Sequence, residues 1–124
     1  MEYLLGATDL GISKVVARQR MTTGKTYKIK ARVQNHESCF SKEVEVSFYL
    51  SRNKTLNKDK DHMFGTSVVP GIKGRGSKLI ILKAKIPTGF KTGVHYVIAE
   101  IGAGESFMEI NTENNKRLKR VLVK

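Results

Sequence analysis

The sequence predicts an all-β fold in which two antiparallel sheets pack as a sandwich. Apolar and polar residues alternate with a period of two over several stretches, the mark of a strand with one buried face. Turn-forming residues interrupt these stretches roughly every dozen positions, the spacing of a sandwich. Nowhere does an apolar stripe at helical spacing persist for three turns.

Seven strands are expected, in this order. The first is DLGISKVVA from Asp9, and the second is KTYKIKARVQN, where Tyr27, Ile29, Ala31 and Val33 alternate with Lys28, Lys30 and Arg32. The third is KEVEVSFYLS, where Val44, Val46, Phe48 and Leu50 alternate with Glu43, Glu45, Ser47 and Tyr49. A short fourth runs from Phe64 to Val69, a fifth is KLIILKAKI from Lys78, a sixth is GVHYVIAEI from Gly93, and the last is RLKRVLVK from Arg117. Gly, Pro, Asn and Asp supply the turns between them at Thr23-Gly24, Gln34-Asn35, Ser51 to Asp61, Pro70-Gly71, Pro87 to Gly93 and Asn111 to Asn115, since these residues accept the dihedral angles that turns require.

The stretch PGIKGRGSKLIIL tests a different reading. Gly71, Gly74 and Gly76 with Lys73, Arg75 and Lys78 approach a phosphate-binding loop, with the final Lys-Ser order exchanged. Such a loop needs a helix directly after it, so that the helix N-terminus and loop amides point at phosphate. LIILKAKIP is instead a β-branched run ending at Pro87. The glycines therefore read as a flexible link between strands, with the three cations held in water.

The other chemical patterns are weak. Asn57, Asp59 and Asp61 alternate like a calcium loop, but the sixth and twelfth places hold His62 and Val68 where Gly and Glu are needed. His36, Cys39, His62 and His95 have no metal-ligand spacing. A single cysteine excludes an intrachain disulfide and reads as a small core or loop residue. There is no nucleophile elbow, and Glu43 and Glu45 fall on an outward strand face, where nothing raises a carboxyl pKa for acid–base work. No enzyme activity, cofactor or metal is expected.

The 124 residues amount to one domain. The start, MEYLLGATDLG, is not a signal peptide, and no apolar run is long enough to span a bilayer. Charge is the outlier: 23 Lys and Arg against 11 Asp and Glu give +12, a field that attracts polyanions. Tyr27, Phe48 and Tyr96 are expected to face the core, which leaves no aromatic platform for reading bases.

Taken in order, DLGIS, VQN, SFYLS, Asp61 with Gly65, IPTGFKTGVHYVIAEI and EINTENN resemble the cell-adhesion-related domain found in bacteria, CARDB. The resemblance implies a seven-stranded immunoglobulin-like, fibronectin III-like sandwich over residues 9–124, after an N-terminal extension of residues 1–8. It also implies a non-catalytic adhesion or scaffold module of a surface or secreted protein. Glu109, Asn111, Glu113, Asn114 and Asn115 would lock the connection between the last two strands, since short amides and carboxylates bond to nearby backbone.

Such a sandwich puts the first, second and fifth strands in one sheet, so that Lys28, Lys30, Arg32, Lys83 and Lys85 project from one outer face. Lys73, Arg75 and Lys78 would extend that basic surface. The strand with Glu43 and Glu45 lies in the other sheet, whose face is expected to be more acidic. The expected partner is an acidic protein surface, including the opposite face of a second copy. A polyanion, such as nucleic acid or an acidic polymer bound without sequence readout, is the alternative.

Overall fold

The computed structural model of the chain describes residues 7–8, 10–36, 43–57, 59–102, 108–109 and 116–124. Among them are ten strands: β1 (Ala7–Thr8), β2 (Leu10–Val16), β3 (Arg20–Met21), β4 (Thr26–Asn35), β5 (Val44–Ser51), β6 (His62–Val69), β7 (Ser77–Lys85), β8 (Gly93–Gly102), β9 (Met108–Glu109) and β10 (Lys116–Val123). The seven long ones are the seven that the alternation predicts; β1, β3 and β9 are two-residue pairings.

One sheet has the order β2-β4-β7 and the other β3-β10-β8-β5-β6, while β1 and β9 form a separate parallel pair. The long strands pair antiparallel throughout. This is an immunoglobulin-like sandwich, and the strands carrying the expected basic residues do share a sheet. The core is the set of alternate residues that the two sheets turn toward each other: Ile29, Ala31 and Val33 of β4, Val46, Phe48 and Leu50 of β5, and Val97, Ala99 and Ile101 of β8. A ladder fixes this choice of face, because a one-residue slip would turn every one of these side chains to water.

Two details differ from the sequence-based expectation. In β8 the inward set is His95, Val97, Ala99 and Ile101, so Tyr96 faces outward and is half-buried, whereas Tyr27 and Phe48 face the core as expected. Both alternations of this strand are apolar, which is why periodicity alone does not choose between them. Tyr49 of β5 and Ile98 of β8 also sit opposite each other on the outer face, yet are only 6% and 2% exposed. The chain after β5 provides the cover. Lys54, Thr55 and Leu56 line one side of a cleft of about 290 Å³ whose other side is Ile98 with Lys116, Arg117 and Leu118. Residues 54–56 thus form a roof over a small satellite apolar cluster.

The sheets are also clipped along one side. β2 shifts register between Ile12 and Lys14, and Arg117 of β10 donates from Nε to the Ile12 carbonyl at 2.9 Å. That contact occupies a backbone acceptor which a sheet edge would otherwise leave open.

Candidate interaction surface

The outer face of β2, β4 and β7 gathers charge by register. Lys14 lies opposite Arg32, and Lys28 lies opposite Lys83. Lys30 sits between Val16 and Ile81, Arg32 is flanked on its other side by Leu79, and Lys85 stands opposite Thr26 at the end of the sheet. Strands about 4.8 Å apart, with same-face residues about 6.7 Å apart along each, make this a shallow lattice of six cations. No carboxylate among the described residues falls on it. Val16, Leu79 and Ile81 are 39%, 44% and 50% exposed between the cations. At one end the face deepens into a groove of about 430 Å³ where Arg18, Lys28 and Lys30 surround Val16, Ala17 and Tyr27.

The Tyr27 hydroxyl accepts a hydrogen bond from the Thr22 amide at 2.7 Å. That bond, with help from Lys25 and Arg18, holds its pKa below the ordinary tyrosine value against the opposing effect of burial. Arg32 is steadied at the other end, donating to the Ser77 hydroxyl at 3.2 Å.

Of the expected cations, Lys28, Lys30, Arg32, Lys83 and Lys85 share this face. Lys78 does not: it pairs in register with Val33, so it has the parity of the inward set and emerges to solvent only because it lies near the strand's start. Lys73 and Arg75 sit in the loop before β7. Lys14 and Arg18 belong to the surface and were not expected there; the alternation of β2 is obscured by its register shift.

The glycine loop is built differently from a flexible link. Asn35, 1% exposed, donates its side-chain amide to the Ile72 carbonyl at 2.9 Å and to the Lys73 carbonyl at 3.4 Å. Its own backbone amide bonds to the Gly76 carbonyl at 2.8 Å, and Gly76 donates to the Lys73 carbonyl at 2.9 Å. A Cβ on Gly76 would stand 3.0 Å from that Lys73 oxygen, a crowded approach that glycine avoids. Arg75, not a glycine, takes the left-handed position with φ of 61°. The loop therefore directs carbonyls inward at Asn35, and β7 follows where a phosphate loop requires a helix.

The opposite outer face is not acidic. Glu45 and Glu100 are there, but Lys116 stands opposite Glu100 and Arg120 stands opposite Tyr96. The expected acidic counterpart for head-to-tail association is thus already neutralised on its own sheet. Glu109 contributes to β9, which pairs with β1; Asn111, Glu113, Asn114, Asn115 and Cys39 lie outside the described residues. In the loop from Asn57 to Asp61, Asp61 Oδ2 accepts the Asn57 amide at 2.7 Å and Asn57 Oδ1 accepts the Asp59 amide at 3.1 Å. Those oxygens hold the turn itself.

Comparison with known proteins agrees with this architecture. The CARDB family matches over residues 7–119. The chain belongs to the CARDB family. Among solved structures, the crystal structure of a CARDB domain from Pyrococcus furiosus, a complex with di-metal ions, has a TM-score of 0.71 at 14% identity, covering 94% of this chain and 89% of that one. The solution structure of the same domain gives 0.70 at 16% identity, with 94% of each chain covered. A β-glucosidase from Listeria innocua contains a similar unit, with a TM-score of 0.62 at 10% identity, covering 94% of this chain but 16% of the enzyme. At these identities the likeness is one of fold. No curated protein matches the chain.

Proposed function

We propose that this CARDB domain is a non-catalytic interaction module of a surface or secreted protein, and that it presents the outer face of β2, β4 and β7 to an acidic partner. The observation that carries this reading is the register of that face. Lys14 opposes Arg32, and Lys28 opposes Lys83, and like charges directly opposite each other destabilise a sheet. An acidic surface laid across the strands relieves both oppositions at once. Val16, Leu79 and Ile81 would add apolar contact between the charges, in the manner of an interface core with a polar rim.

The di-metal ions of the Pyrococcus domain do not extend this reading. Among the described residues no three His, Cys, Asp or Glu side chains come together as a metal centre requires. Among the described residues no helix is long and apolar enough to cross a membrane.

Titration with polyglutamate at about 50 mM salt tests the reading. Binding should weaken steeply with salt, as expected for exposed charges, and should be lost in the double variant Lys28→Glu with Lys83→Glu. Equal binding by the variant, or none by the native chain, would overturn it. The groove around Tyr27, with Arg18, Lys28 and Lys30 at its rim, favours a second reading in which the partner is a polyanion such as nucleic acid. Duplex DNA in the same titration separates the two, its salt slope counting the phosphates engaged.

A further inference from the structure

A second polar concavity opens at the end of the sandwich where the 52–61 and 86–93 connections meet, and no cation of the sheet face lines it. Its volume is about 660 Å³, within the range of small-ligand sites. Its donors and acceptors are unevenly disposed. The side-chain oxygens at its rim are turned into the loop: Asn53 Oδ1 accepts the Thr55 amide at 3.1 Å, Asn57 Oδ1 accepts the Asp59 amide at 3.1 Å, and Asp61 Oδ2 accepts the Asn57 amide at 2.7 Å. The same geometry leaves the amide nitrogens of Asn53 and Asn57 free. Among the described residues, the side chains of Arg52, Lys60 and Lys91 make no ion pair or hydrogen bond, while the Lys60 backbone amide donates to the Asn57 carbonyl at 3.1 Å.

Five residues with side-chain donor groups thus line one space, three of them cations against the single carboxylate of Asp61. The apolar part of the lining is Leu50, 1% exposed, and the ring of Phe90. That ring is held edge-on and tilted between two imidazoles, with centroids 5.9 Å from His62 and 5.2 Å from His95. His95 is itself fixed by its Nδ1, 3.0 Å from the Gly93 carbonyl.

We propose that this cavity is a binding site for an acidic oligosaccharide of two or three rings. Donors in excess select a ligand rich in acceptors; three cations select carboxylate or sulfate groups, Arg52 by its planar fork; and the packed Phe90 ring offers a flat wall for the apolar face of a sugar. The volume is far more than one inorganic anion fills. The site is separate from the sheet face and does not depend on it.

The test is a titration of the isotopically labelled chain with trigalacturonate, followed by NMR, beside the neutral trigalactose and sodium sulfate. Trigalacturonate should shift the amides of residues 52–61 and 89–92, and bind at least tenfold more tightly than trigalactose or sulfate. The double variant Arg52→Gln with Lys91→Gln, both exposed positions, should lose tenfold or more in affinity. Phe90→Leu should lose severalfold while keeping the native spectrum elsewhere. Lys28→Glu with Lys83→Glu should bind as the native chain does, which separates this site from the sheet face. Equal affinity for the neutral sugar or for sulfate, shifts confined to β4 and β7, or indifference to the Arg52 and Lys91 substitutions would overturn the proposal.

Discussion

The two outer faces of the sandwich solve the same problem in opposite ways. Both are the polar sides of antiparallel sheets, and both carry exposed or potentially exposed apolar residues. The five-stranded face mixes Glu45 and Glu100 with Lys116 and Arg120, and folds residues 54–56 over Ile98. The three-stranded face opposes cation to cation and leaves Leu79 and Ile81 in water. Exposed apolar residues do not separate the faces, since Met63, Val68, Val94 and Leu118 of the five-stranded sheet are 46%, 52%, 40% and 38% exposed. What separates them is the opposition of cation to cation on one and the covered Ile98 on the other. The position of Ile98 and Ile81 on their strands is equivalent in kind, so the difference lies in what covers them.

That contrast can be broken most directly by truncating the two isoleucines. Ile98→Ala removes a side chain that is 2% exposed beneath the loop, and should cost about 2–4 kcal/mol as buried large-to-small changes do. Ile81→Ala removes one that is 50% exposed, and should change stability by no more than about 0.5 kcal/mol. Chemical denaturation of both variants measures the pair. Similar losses would mean that the roof over Ile98 does not form in solution.

The next largest effect concerns how the basic face ends. Asn35→Ala removes the donor to the carbonyls of Ile72 and Lys73, and should cost about 1–3 kcal/mol through buried acceptors left unpaired. Asn35→Asp should cost more at neutral pH, because it sets a carboxylate against those same oxygens. Asn53→Ala, at an exposed position of the other loop, is expected to stay within about 0.5 kcal/mol. Thermal unfolding of the three variants gives the order.

How much of this is legible in the sequence follows from which signal each feature leaves. The seven strands come from alternation, because a half-buried strand must alternate, and alternation also puts Lys28, Lys30 and Arg32 on one side of β4 and Lys83 and Lys85 on one side of β7. That these strands share a sheet is what the family resemblance implies, since periodicity does not say which strands pair. Lys78 departs from these cations because periodicity does not say where a strand begins, and one residue of uncertainty reverses the face. The roof over Ile98 leaves almost no signal: its loop is polar, and Leu56 alone hints at burial. The Asn35 latch is invisible for another reason. An asparagine at a strand end reads equally well as a turn residue, and only the tertiary structure brings it to carbonyls 37 and 38 positions away. The acceptor-depleted cavity is likewise assembled from two connections whose residues look individually like ordinary solvated turns.

A smaller effect comes from reversing one charge on each face. Lys83→Glu replaces a like-charge opposition with Lys28 by an attractive one, and should stabilise the chain by about 0.2–1 kcal/mol. Lys116→Glu creates a like-charge opposition with Glu100 and should destabilise by a similar amount. Both effects should shrink in 1 M salt, where exposed charges are screened. Equal signs for the two variants would show that cross-strand register does not govern the charge balance of either face.

The smallest effect separates the faces by pH. No histidine or carboxylate among the described residues lies on the outer side of the three-stranded sheet. On β6 of the other sheet, His62 packs edge-on against Phe64 with centroids 5.3 Å apart and also meets Phe90. Burial lowers its pKa below 6.5, because the charged imidazolium is the form that loses hydration. The folded chain therefore binds this proton less readily than the unfolded chain. Its contribution to stability is present in full above pH 6.5 and is lost as pH falls through 6.5 toward the folded value. Denaturation at pH 7.5 and 5.5 should show a modest loss in the native chain and a smaller one in His62→Gln, while binding of polyglutamate to the basic face stays constant once the folded fraction is matched. A native chain as stable at pH 5.5 as at 7.5, or an unchanged slope in His62→Gln, would remove His62 as the acid-sensitive point of this sheet.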